Sequence, residues 1–179
     1  MSTLVLYHSK YGTTKKYAEA LARELSCPAI NQETARDQDL TLADTLVFGS
    51  SIRASGLGFS RFVKNHAAAL EGKHLIFFCV GASPTPSEED LEQVRVRSLG
   101  KTYPDAPLFY CRGEWDMDSM TTMDRLLCKA LLKTLEKKDT STMAPWEKAL
   151  KEAGQTKTSW YDEKYIAPIL AAARGEGNR

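Results

Sequence analysis

YHSKYGTTKKYAEAL, residues 7–21, joins two patterns of different period. Before it, Thr3-Leu4-Val5-Leu6-Tyr7 is mostly β-branched and apolar and about the length of a buried strand. After it, Tyr17, Ala18, Leu21, Ala22 and Leu25 recur at helical spacing. Ser9-Lys10-Tyr11-Gly12-Thr13-Thr14 is therefore a strand-to-helix turn, with small hydroxyl residues at 9, 13 and 14. Such a turn aims unpaired backbone N–H groups at one point, and the helix dipole adds partial positive charge there. A phosphate is a natural occupant; the alternative is an ordinary N-cap supplied by Thr13 or Thr14.

Further apolar runs follow at Pro28–Asn31, Thr45–Gly49, His74–Gly81 and Pro107–Arg112. Helical patterns lie between them, at Thr13–Ser26, Phe59–Leu70 and Ser87–Leu99, the last with Glu88, Glu89 and Asp90 in its first turn. Strands alternating with helices imply crossover connections, and continuous apolar strands imply a parallel sheet covered on both faces. The expected architecture is a doubly wound α/β sandwich of about five strands. Beyond the last strand the pattern stays helical. Met120–Lys138 carries Met123, Leu127, Ala130 and Leu131 as one stripe, beside a row of Arg125, Lys129, Lys133 and Lys137. Pro145 opens a short helix, Trp146–Ala153, that Gly154 closes, and a final helix is expected over Trp160–Ala173. Residues 1–174 read as one domain with a helical insertion at 113–156, and residues 175–179 as a frayed tail.

The chain has 179 residues, enough for one domain with a sizeable core. Its net charge of +1 gives no field that points to nucleic acid. No apolar run approaches the roughly 20 residues of a membrane span, and no secretory signal pattern precedes the first strand. Cys27, Cys79, Cys111 and Cys128 form no C-x-x-C pair and no metal-like spacing with the histidines. Free thiols suit a reducing cytoplasm.

In a doubly wound sheet the ligand lies beyond the carboxyl ends of the strands, where strand order reverses. The loops there are rich in small residues. After the first strand comes the turn quoted above; after the third comes Gly49–Gly58, and after the fourth Gly81-Ala82-Ser83-Pro84-Thr85-Pro86. Arg112-Gly113-Glu114-Trp115 follows the fifth. Small residues let the backbone approach a flat ligand closely. G-x-x-x-x-G-K-[ST], G-x-G-x-x-G after the first strand and G-x-S-x-G are all missing, which argues against a P-loop nucleotidase, a dinucleotide site and an α/β-hydrolase. The first loop holds no cysteine, which argues against a cysteine phosphatase. What remains is a phosphate carried on something planar.

These residues resemble the flavodoxin family over residues 3–173. Ser9, Gly12 and Thr14 match its phosphate loop, [ST]-x-[ST]-G-x-[ST], with Tyr11 where a small hydroxyl residue is usual. Ser51-Ile52-Arg53-Ala54-Ser55-Gly56 resembles its first flavin-edge loop, and Gly81-Ala82-Ser83 stands in the place of the second. The stretch GSSIRASGLGFSRFVKNHAAAL and the late basic helix resemble the branch of menaquinone-dependent protoporphyrinogen oxidases. GEWDMDSMTTMD stands where that branch carries an Arg- and Tyr-rich stretch. The resemblance implies a flavodoxin-like sheet of order 2-1-3-4-5 with extra helices after the fifth strand, and FMN as cofactor.

FMN would then carry the redox chemistry while the protein positions it. The phosphate falls to Ser9, Lys10, Tyr11, Gly12, Thr13 and Thr14. The ring edge falls to Ser51, Ile52, Arg53, Ala54 and Gly56, and to Val80, Gly81, Ala82 and Ser83. Arg53 is read as a cation tuning the flavin, or else a salt-bridged surface residue. Trp115 is read as an aromatic lid, or else a core residue. Lys10, Lys15, Lys16 and Arg53 favour an oxidoreductase acting on a quinone or small molecule over a carrier that docks on a redox partner protein. A regulatory FMN-binding domain is a third reading. Peripheral contact with a membrane surface through Met120–Lys138 and the oligomeric state are left open.

Overall fold

Each of the five apolar runs becomes a strand: β1 (Thr3–His8), β2 (Ala29–Asn31), β3 (Thr45–Arg53), β5 (His74–Gly81) and β6 (Leu108–Arg112), with a short β4 (Gly56–Leu57) folded back on β3. The structure, a computed structural model, describes residues 2–53, 56–100 and 102–176, and of Arg53 the backbone only. The five strands run parallel in the order β2-β1-β3-β5-β6, which is 2-1-3-4-5 when they alone are numbered. The protein is therefore an α/β fold of the flavodoxin-like topology. Strand order reverses beside β1, so the ligand crevice of such a sheet opens at the carboxyl ends of β1 and β3.

Side-chain alternation sends each central strand into two cores. Leu4, Leu6, Leu46, Phe48, Leu75 and Phe77 join Phe59, Val63 and Leu70 on one face. Val5, Val47, Ile76 and Phe78 meet Tyr17, Leu21 and Ile169 on the other. The first face is covered by α3 (Ser60–Asn65), α4 (Ala67–Leu70) and α5 (Glu88–Leu99), the second by α1 (Thr13–Leu25) and α8 (Ala167–Arg174); α2 (Asp37–Thr41) leads into β3. Gly49 is confined by this packing: a Cβ there would stand 2.0 Å from Cζ of Phe78 on the neighbouring strand.

The segment after β6 builds a third core. Trp115, Met117, Leu132, Leu135, Met143, Leu150 and Ala153 pack together between α6 (Thr122–Lys137) and α7 (Pro145–Ala153). The 113–156 segment is not helical throughout. It opens with β7 (Glu114–Trp115), which pairs antiparallel with β8 (Thr158–Ser159) and so closes the segment on itself.

Several boundaries differ from the sequence expectations. The helix expected over Phe59–Leu70 breaks at His66 (φ −107°, ψ 18°), whose ring lies tilted against that of Phe62 with centroids 4.2 Å apart and whose Nδ1 lies 2.5 Å from Asp37 Oδ1. Those tertiary contacts win over continued helix. The final helix starts at Ala167, after a 3₁₀ turn at Glu163–Ile166, and Trp160 lies outside it. Of the tail expected at 175–179, residues 175 and 176 are described and cap α8. Gly175 is left-handed (φ 73°), and the Gly175 and Glu176 amides donate to Ala172 and Ala171 carbonyls. Residues 177–179 lie outside the described residues.

The buried stripe of α6 is also not the expected one. Cys128, Leu131, Leu132 and Leu135 face the third core, whereas Met123, Leu127 and Ala130 are exposed. Arg125 leaves the basic row: its guanidinium donates to the carbonyls of Met117, Asp118 and Met120, bracing the turn before the helix.

Candidate functional site

The first loop leaves the end of β1 and enters α1 through Gly12, which occupies the N-cap in the left-handed region (φ 96°, ψ −28°). No side chain caps this helix, so neither Thr13 nor Thr14 is an N-cap. A Cβ on Gly12 would meet nothing within 4 Å; the backbone dihedral, not crowding, demands glycine. Ser9 Oγ accepts from the Gly12 amide at 3.1 Å, and Lys16 N–H is bonded back to Gly12 O at 3.0 Å. The amides of Thr13, Thr14 and Lys15 lie in the first turn, where a helix offers no internal acceptor, so they point along the dipole out of the N-terminal end of α1. Uncapped first-turn amides behind a left-handed glycine are the geometry of an anion cradle.

The side chains of the loop are turned to the third core. Lys10 Nζ lies 2.5 Å from Asp124 Oδ2, and the Tyr11 hydroxyl donates to the same oxygen. Thr13 Oγ1 donates to Glu114 Oε2 at 3.0 Å, and Lys16 Nζ reaches both Glu114 oxygens at 2.8 Å. Thr14 is buried, 2% exposed. Partial burial would raise the Glu114 carboxyl, but hydrogen bonds from Lys16, Ser159 and Thr13 outweigh it and hold the group below its ordinary range. Hydrogen bonding to Asp124 holds the Lys10 ammonium above its ordinary value. Sequence reasoning missed Glu114 and Asp124 as neighbours of the loop. Their signal was the acidic stretch GEWDMDSMTTMD, read there only as a departure from a pattern.

The second loop is tighter than expected. β3 continues to Arg53 and turns back so that Ile52 faces Leu57 and Arg53 faces Gly56. Ser51 and Ile52 are half-buried, and Ala54 and Ser55 lie outside the described residues. Ser50 Oγ accepts from the Gly58 amide at 2.7 Å, bracing the hairpin from below.

The third loop touches the second. A Cβ on Gly81 would stand 3.0 Å from the Tyr110 ring and 3.2 Å from Ile52 Cδ1, so the Ile52 side chain lies across Gly81. Tyr110 OH donates to Ser83 O at 2.8 Å, and Ser83 is buried. Val80 is 5% exposed within the second core, which leaves only its backbone near the edge. Arg112 Nε reaches Ala82 O at 3.4 Å, and Gly113 N–H donates to Gly81 O at 2.7 Å, so the fourth loop joins the third. Trp115 takes the core alternative: it is 8% exposed in the third cluster, and its indole N–H donates to Gly154 O at 2.8 Å.

Four loops thus meet at the carboxyl edge of one parallel sheet, with the uncapped N-terminus of α1 beyond β1. The flavodoxin domain family model matches residues 4–142, and the chain belongs to that family. No curated protein matches it. Among solved structures it is similar to a flavodoxin from the domain Archaea, at 20% identity and TM-score 0.47 over 73% of this chain and 92% of that one. It is also similar to a flavodoxin, WrbA-like protein from Agrobacterium tumefaciens, at 18% identity and TM-score 0.46 over 98% of both chains. A flavoprotein from Bacteroides eggerthii gives 21% and 0.45, over 76% of this chain and 99% of that one.

Proposed function

We propose that the chain binds FMN across these loops and works as an FMN-dependent oxidoreductase on a quinone or other small molecule. The observation that carries the reading is the cradle: a left-handed Gly12 with open space at its Cβ, at the N-terminus of a helix that no side chain caps. The donor set fits a phosphate monoester. It is built from backbone N–H groups, while the nearby carboxylates Glu114 and Asp124 are held by Lys16 and Lys10, so they repel an incoming anion less.

Bound FMN supplies the electron-accepting ring. The cradle residues Ser9–Thr14 would hold its phosphate, and Ser51–Gly56 and Val80–Ser83 would flank the ring. Arg53 is assigned the role of a cation beside the ring, favouring its reduced, negatively charged form. Arg53→Ala should lower the flavin potential and change unfolding stability little. An unchanged potential with a large stability loss would make Arg53 structural.

The test is a visible spectrum of the purified protein, repeated after incubation with FMN. A flavin band that Gly12→Val abolishes supports the reading; no bound or rebindable FMN ends it. Reduction with candidate donors, protoporphyrinogen among them, followed by reoxidation with a quinone, addresses the substrate.

One observation favours the second reading, an electron carrier docking on redox partner proteins. Lys10, Lys15 and Lys16 are each paired, with Asp124, Glu19 and Glu114, so the electropositive surround implied by composition is largely neutralised. A redox titration separates the two. Well-resolved one-electron steps favour the carrier, and a single two-electron step with turnover on quinone favours the enzyme.

A further inference from the structure

Helix α6 carries two apolar stripes of identical spacing, and only one is covered. Cys128, Leu131, Leu132 and Leu135 follow i, i+3, i+4, i+7 and pack into the third core. Met123, Leu126, Leu127 and Ala130 follow the same spacing on the outward side. There Met123 is 66% exposed, Leu126 64% and Leu127 61%. A helix apolar on both sides is normally enclosed, and a contiguous exposed apolar patch marks an interaction surface.

The charges beside the patch have one dominant sign. Lys129, Lys133 and Lys137 follow at intervals of four and are exposed. Lys129 and Lys133 line, with Leu126, Ala130, Glu136 and Lys151, an open groove of about 470 Å³ along the helix. Glu136 is the one acid on this side; the other acid of α6, Asp124, is turned to Lys10 and Tyr11. The outward face is thus apolar over its first two turns and basic over its last two.

We infer that this face docks on an anionic lipid bilayer. Unbranched or γ-branched apolar side chains at one end can enter the headgroup–acyl boundary, while lysines at the other extend to anionic headgroups. A second copy of the chain fits less well, because a two-fold contact sets this surface on itself and brings like charges together. A protein partner also fits less well. Protein interfaces are depleted in lysine and centre on Trp, Tyr or Arg, and this patch has lysines and none of those three. Docking would bring lipid close to the cradle, since Asp124, next to Met123, holds Lys10 and Tyr11. The inference does not rest on FMN binding, which has its own spectral readout.

The test is flotation of the full chain with vesicles of phosphatidylcholine alone and of phosphatidylcholine with phosphatidylglycerol. The expected result is binding to the anionic vesicles, none to the neutral ones, and loss of binding as salt rises. Combined M123Q, L126Q and L127Q, or combined K129Q, K133Q and K137Q, should each weaken binding by about tenfold or more. The positions are exposed, so thermal melting should stay at the wild-type value, and the wild-type salt titration needs no variant. Failure of the wild type to bind anionic vesicles at low salt would overturn the inference. So would binding that both variants retain in full, or a wild-type dimer in sedimentation that the apolar variant dissociates.

Discussion

The Thr13 hydroxyl donates to the Glu114 carboxylate at 3.0 Å, joining the first residue of α1 to the first residue of β7. Lys16, one turn along α1, and Ser159, on β8, complete the same carboxylate at 2.8 and 2.9 Å. The edge of the cradle is therefore anchored on the segment that extends the domain. Tyr17 repeats the anchor deeper down: its hydroxyl donates to Arg112 O and accepts from the Asp162 amide.

This anchor should be sensitive to acid. Glu114 has a folded-state pKa below its ordinary 4.5, so it contributes stability fully above that value. The contribution is lost as pH falls through the lowered value, because the unfolded chain then binds the proton more readily. Melting of wild type and Glu114→Gln across pH 3 to 7 should differ most near neutrality and converge at the acid end. A constant gap between the two curves would mean that the charge of Glu114 contributes nothing.

Two glycines should fail in different ways. Gly12 needs a positive φ but has open space around it, so Gly12→Val strains the backbone by about 1–2 kcal/mol and spoils the cradle. The fold should persist and flavin affinity should collapse. Gly49 has the opposite problem, since a Cβ would enter the Phe78 ring in the middle of the sheet. Gly49→Ala should cost about 1–3 kcal/mol or more by overpacking, whether or not flavin is present. Chemical denaturation and flavin titration of both variants distinguish these outcomes.

The central strands β1, β3 and β5 were legible because each is a largely continuous apolar run, and burial on both faces requires one. α5 was legible through its start: Ser87 accepts from the Asp90 amide at 3.0 Å, with acids in the first turn. The pairs β3–β4 and β7–β8 were not. A two-residue strand has no periodicity of its own and exists only through its partner. The orientation of α6 was hidden for another reason. Two apolar stripes coexist on it, and only the third core decides which is buried. In the site, the glycine and hydroxyl pattern marked the cradle, but the acids that hold its side chains lie 101 and 113 residues away in sequence.

Thiol chemistry should sort the cysteines. All four are free, and burial pushes the Cys79 thiol up to about 12 and Cys111 further. Neither should react with a maleimide or iodoacetamide in the native state at neutral pH, because the thiolate is the reactive form. Cys27 and Cys128 are partly exposed and also raised, so they should react slowly and reach completion only as pH climbs. Rapid modification of more than two thiols without denaturant would contradict the two central cores.

Trp115 decides whether the third core and the flavin site are energetically separate. Its ring is buried among Met117, Leu132, Leu135 and Leu150, and its indole N–H is bonded to Gly154 O at 2.8 Å. Trp115→Phe keeps an aromatic ring but removes the donor and leaves the Gly154 carbonyl without it. The expected loss is about 1–3 kcal/mol, the cost of an unmet buried acceptor plus a small void. A flavin-stacking residue would behave otherwise, since losing the indole face would weaken FMN binding directly. With Trp115 as core, the flavin dissociation constant should stay within about twofold of wild type, a difference of about 0.4 kcal/mol. Equilibrium unfolding and flavin fluorescence titration on the same variant give both numbers. Unchanged stability with much weaker flavin binding would return Trp115 to the role of a lid.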